Sequence, residues 1–152
     1  MRSTMQTRRI RASRAAVYAA LLDPAAVERW RVPVGMTSEV HEFEPRKGGV
    51  FRVSLTYDAP DAIGKSEGRT DSYHGHFERL VPDTEVVEVV EFETSDPALT
   101  GTMRITTTLR EIDGDVEISM FHEGIPVGVA LLDNELGTSM ALDSLANLLE
   151  QG

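Results

Sequence analysis

Residues 131–150 repeat apolar side chains at three- and four-residue steps, a pattern no other long stretch of the chain shows. Leu131 or Leu132, Leu136, Leu142, Leu145, Ala146 and Leu149 fall on one stripe of an α-helix, with Asp133, Asp143, Asn147 and Glu150 towards water. About five turns at 1.5 Å per residue make a rod of roughly 30 Å, the width of a small domain. Most of what precedes it alternates as β-strand. A long amphipathic helix after a run of strands has to lie across their sheet, because neither apolar face can remain in water.

The 152 residues predict one domain, 1–152, large enough for a real core. Acidic residues outnumber basic ones 25 to 15, a net charge of −10, which argues against nucleic acid and anionic membrane surfaces as partners. With no cysteine there is no disulfide, thiolate nucleophile or Cys-ligated metal. No apolar run is long enough for a membrane span, and the start, Met1 to Arg9, lacks the apolar core of a signal peptide. The expected setting is cytoplasmic.

Thr4 to Ile10 is compatible with a first strand. Ser13 is placed as an N-cap for a helix over 14–22, which Asp23-Pro24 ends; Pro24 can open a second short helix running to Trp30. Strands follow over 36–44, 50–57, 69–80, 86–93, 101–111 and 116–123, expected to pair antiparallel in sequential order. Turns or loops separate them at 45–49, 58–68, 81–84 and 95–101, and Asp113-Gly114 is a hairpin signal. Strands segregated from helices define an α+β domain, a curled antiparallel sheet of six or seven strands around the long helix. A gap between such a sheet and its helix is a natural ligand site.

Strand parity sends Phe51, Val53, Tyr73, Phe77, Met103, Ile105, Met120 and His122 inward, and His74 and His76 outward. His74-Gly-His76 has the spacing of paired ligands, but its apolar neighbours Tyr73 and Phe77 lie on the other face, so no metal is expected. His122, at the inner end of a strand, is either a satisfied core histidine or a polar group at a cavity mouth; His41, by parity with Phe43, is a weaker parallel. The strand 86–93 buries Glu88 if Val86, Val90 and Phe92 face inward, and Glu91 if Val87 and Val89 do. The first set is more apolar and favours Glu88, whose carboxyl would be raised in pKa by an apolar cavity and could serve as acid or base. Nucleophile elbows, phosphate loops, dinucleotide fingerprints and His-Glu-x-x-His are absent, and no cofactor is expected.

Ile10-Arg-Ala-Ser-Arg-Ala-Ala-Val-Tyr18, Trp30 with Pro33, Arg46-Lys-Gly-Gly-Val-Phe51, Tyr73-His-Gly75 leading to Pro82, and Gly137 through Glu150 occur in the order of one family. Together they resemble the domain homologous to the activator of the heat-shock-protein-90 ATPase, within the START-like, or SRPBCC, helix-grip superfamily of polyketide cyclases and birch-pollen-allergen proteins. The resemblance implies a seven-stranded sheet wrapped around the C-terminal helix, with an apolar cavity between. Members usually carry Gly-Trp where this chain has Gly137-Thr138, which puts the usual filling of that cavity in question.

The first functional expectation is therefore binding of a small apolar or aromatic molecule beside Thr138, reached past Trp30. Its expected lining is Trp30, Phe51, Val53, Tyr73, Phe77, Met103, Ile105, Met120, His122, Leu136, Thr138 and Met140. An enzyme of the cyclase, dehydratase or hydrolase kind, using His122 and a buried Glu88, is the second reading. A co-chaperone that docks on a chaperone and stimulates its ATPase is the third.

Overall fold

The structure is a computed structural model that describes residues 2–58 and 70–150. The loop expected over 58–68 lies, from residue 59 on, outside the described residues. Chain order is β1 (Ser3–Ile10), α1 (Arg14–Leu21), α2 (Pro24–Trp30), β2 (Met36–Phe43), β3 (Val50–Tyr57), β4 (Thr70–Val81), β5 (Glu85–Phe92), β6 (Met103–Ile112), β7 (Asp115–Glu123) and α3 (Leu131–Glu150). A single 3-10 turn, Pro97–Leu99, interrupts the loop before β6. The result is an α+β helix-grip fold, with α3 in the grip of a curled seven-stranded antiparallel sheet.

Local chemistry accounts for the element ends. Ser13 Oγ accepts from Ala16 N–H and Asp23 Oδ1 from Ala25 N–H, so each short helix starts on a side-chain cap, and Pro24 occupies the first turn of the second. Asp113 and Gly114 both take positive φ (50° and 85°), the backbone of a two-residue hairpin whose twist matches its strands.

The sheet order is β1-β7-β6-β5-β4-β3-β2. Strands β2 to β7 follow the sequential order expected of them; β1 does not pair with β2 but crosses to the far edge and pairs with β7 from Ser3↔Glu123 to Ile10↔Val116. The two short helices carry that crossover. Trp30 is the clamp between them: it is 1% exposed, and its indole N–H donates to the Ala20 carbonyl of α1 at 3.1 Å.

Thr138, Ala141, Leu142, Leu145 and Ala146 form the buried stripe of α3. The four apolar members pack with Ile10, Val17, Ile105, Ile118 and Met120 in one core, each large aliphatic side chain contributing about 1.5–3 kcal/mol of burial. Leu136 is a correction. It is 54% exposed, and Leu132 is 74% exposed. At 3.6 residues per turn, six residues leave Leu136 about 120° from Leu142, whereas four and seven residues bring Thr138 onto the stripe of Leu142 and Leu145. His41 is a second correction: the register shift between Val40 and Glu42 is a bulge that turns both Val40 and Phe43 inward and leaves His41 exposed, sharing a 2.8 Å hydrogen bond with Ser54.

Candidate functional site

A cavity of about 290 Å³ opens between the sheet and the N-terminal half of α3. Its walls are mainly apolar: Leu55, Val90, Phe92, Met103, Ile105 and Met120 from the strands, Val129 and Ala130 from the loop before α3, and Ala141 from the helix. Arg31, Tyr73, His122, Asp133, Asn134 and Thr138 bring the polar atoms. The small side chain of Thr138 and the bare Gly137 leave the helix surface low where it faces the strands.

Of the expected lining residues, Tyr73, Met103, Ile105, Met120, His122 and Thr138 border this cavity. Phe51, Val53 and Phe77 are buried as strand parity required but belong to the core beyond it, where Phe51 and Phe77 pack with ring centroids 5.1 Å apart and Phe43 meets Phe77 edge-on at 5.5 Å. Trp30 is corrected for the same reason: it is 1% exposed, locked between the helices, and is not part of this cavity's wall. Leu136 points to solvent, and Met140 is half-buried off the cavity wall.

The residue after Trp30, Arg31, borders the cavity. Arg31 caps the C-terminus of α2, and its guanidinium donates to Glu88 Oε2 at 2.8 Å while lying 5.9 Å from the Trp30 ring centroid. Glu88 is 4% exposed, so the inward face of β5 is the one carrying it. It is not an isolated carboxyl in an apolar wall, and it does not border the cavity; it lies in a buried ion pair behind Arg31. Burial opposes the charge on Arg31, but attraction to Glu88 and to the ionisable Tyr73 hydroxyl, with the Glu88 hydrogen bond, raises its pKa. The Tyr73 hydroxyl is raised by burial and by Glu88, with Arg31 opposing.

His122 is 7% exposed and sits at the inner end of β7. Its Nδ1 accepts from the Asn134 side-chain amide at 3.0 Å, and the Asn134 side-chain oxygen accepts from the Thr4 hydroxyl at 2.5 Å. Thr138 donates to the Asn134 backbone carbonyl at 2.8 Å, one helical turn back. Among the described residues, two buried side-chain polar atoms lack a partner, Ser38 Oγ and His122 Nε2. Burial first, then the positive charge of Arg31, lower the His122 pKa to about 4. The relay from Thr4 could not be read in the sequence, since it joins a strand, a helix and a second strand whose residues lie up to 130 positions apart.

On the outer face, His74 lies between Glu91 and Glu93 at 2.7 and 3.1 Å, with Arg52 bound to Glu93 by both a 2.7 and a 2.9 Å contact. His76 is exposed. Among the described residues no group of three or more His, Asp or Glu side chains could hold a metal ion, and no helix is long and apolar enough to cross a membrane.

A curled antiparallel sheet gripping one long helix, with a cleft between them, defines a START-like helix-grip protein. The chain belongs to the family described as activator of Hsp90 ATPase homolog 1-like proteins, whose model matches residues 11–150. A crystal structure of a Chromobacterium violaceum protein is 29% identical with a TM-score of 0.88, over 97% of this chain and 96% of that one. A Rhodobacter sphaeroides protein superposes with a TM-score of 0.76 at 22% identity, over 98% and 93% of the two chains. An Arthrobacter aurescens protein gives 0.82 at 16% identity, over 99% and 87%. The last two share the fold. No curated protein matches.

Proposed function

We propose that this protein binds a small, largely apolar molecule between its sheet and α3. The observation that carries the reading is the cavity itself: about 290 Å³, walled mainly by Val, Leu, Ile, Met and Phe side chains, with Arg31, His122, Asn134 and Thr138 among its polar groups held by neighbours. Apolar lining with a small number of placed polar groups is the general character of ligand sites, and this volume is near the lower end of their range, roughly 300–1,000 Å³. The family setting agrees, because helix-grip members commonly bind hydrophobic ligands. An acid–base enzyme working through His122 and Glu88 is less well supported, since Glu88 is tied to Arg31 and does not border the cavity. A chaperone partner is supported by the family description alone.

The neutral fluorophore N-phenyl-1-naphthylamine tests the reading. Its emission should rise saturably with about one equivalent bound, and Thr138→Trp, which fills the space beside the helix, should raise the melting temperature and abolish that response. An unchanged titration in the variant places binding elsewhere; no saturable rise with the parent protein rejects the reading.

A further inference from the structure

We propose that the molecule held in this cavity is uncharged and presents a carbonyl-type oxygen, which accepts a hydrogen bond from His122 Nε2–H. The inference rests on the cavity-binding reading and specifies its ligand. It starts from the direction of each bond in the relay. Thr4 Oγ1 donates to Asn134 Oδ1, and the Asn134 amide nitrogen stands 3.0 Å from His122 Nδ1. An amide nitrogen only donates. Nδ1 must accept. In the neutral ring the proton is then on Nε2.

That N–H is shielded from water and has no protein partner, on a residue that borders the cavity. Ser38 Oγ, the other such atom, does not border it. A buried donor left without an acceptor is destabilising, and a ligand oxygen is what would satisfy it. The charges nearby select against an anion. Arg31 is already neutralised by Glu88 at 2.8 Å, and the lowered basicity of His122 keeps its ring uncharged near pH 7. A carboxylate would meet no net positive charge to replace its lost hydration. A ketone, ester, lactone or quinone oxygen loses far less and matches a single oriented N–H.

Three probes of nearly one shape separate the possibilities: 2-acetylnaphthalene, 2-isopropylnaphthalene and 2-naphthoate. The ketone leaves more hydration behind than the hydrocarbon, so each is compared between parent and His122→Phe, which keeps the ring and removes the N–H. The variant should bind the ketone about tenfold more weakly and the hydrocarbon no worse. In the parent, the ketone C=O stretch should move to lower wavenumber on binding, a readout independent of whether the variant folds. Nitrogen NMR of the parent should find the His122 proton on Nε2. An equal effect of the variant on both probes with no C=O shift, a proton on Nδ1, or tighter binding of naphthoate than of the ketone would each overturn the carbonyl inference and leave the apolar cavity standing. Binding of none of the three removes the cavity reading and this inference with it.

Discussion

Burial and the facing charge of Arg31 hold the His122 imidazole at about 4, against about 6.5 in an unfolded chain. Between those values the unfolded chain binds a proton that the folded one refuses, so acidification favours unfolding. The contribution is present in full above about pH 6.5 and is lost as pH falls to about 4, a swing of roughly 3 kcal/mol. Urea unfolding at pH 7 and at pH 4.5 should show it, and His122→Phe should flatten that part of the profile. The Arg31–Glu88 pair behaves differently. Either Glu88→Gln or Arg31→Met alone leaves a buried polar or charged group unmatched, and Arg31→Met, which strands the carboxylate, should destabilise by about 3–5 kcal/mol. Arg31→Met combined with Glu88→Leu should recover most of that loss; a double variant as unstable as the worse single one contradicts the assignment. Glu88 was legible from the alternation of Val86, Val90 and Phe92. Arg31 was not, because nothing periodic marks a residue at a helix end, and only the packing of Trp30 delivers it to the cavity.

Period and angle decide what can be read at the level of one helix or strand. The extent of α3, 131–150, followed from its apolar spacing, and so did the inward position of Thr138. Leu136 failed because a count of leucines ignored its angular place. The two leucines should separate clearly in experiment: Leu142→Ala is expected to cost about 2–5 kcal/mol, and Leu136→Ala less than about 0.5 kcal/mol, by denaturant titration. Comparable losses would mean that α3 is rotated from its described setting. In β2 the alternation held only as far as Val40. One bulge shifted the remaining side chains by a residue, and His41 went to solvent with Ser54. Bulges are set by pairing across strands, which alternation in one strand does not encode.

The architecture as a whole, helices segregated from an antiparallel sheet, was legible from the order of patterns alone; the partner of β1 was not. A short mixed strand carries no mark of whether it pairs with the next strand or the last. That choice has a consequence in time. β1 ends at Ile10 and its neighbour β7 begins at Asp115, so on a ribosome working at about 5–20 residues per second β1 waits on the order of ten seconds for its partner. Thr4 waits still longer for Asn134, which is made after His122. The hydrogen bonds that settle the tautomer of His122 therefore join segments 130 positions apart, and until Asn134 has been made the nascent chain lacks the amide that orients that ring.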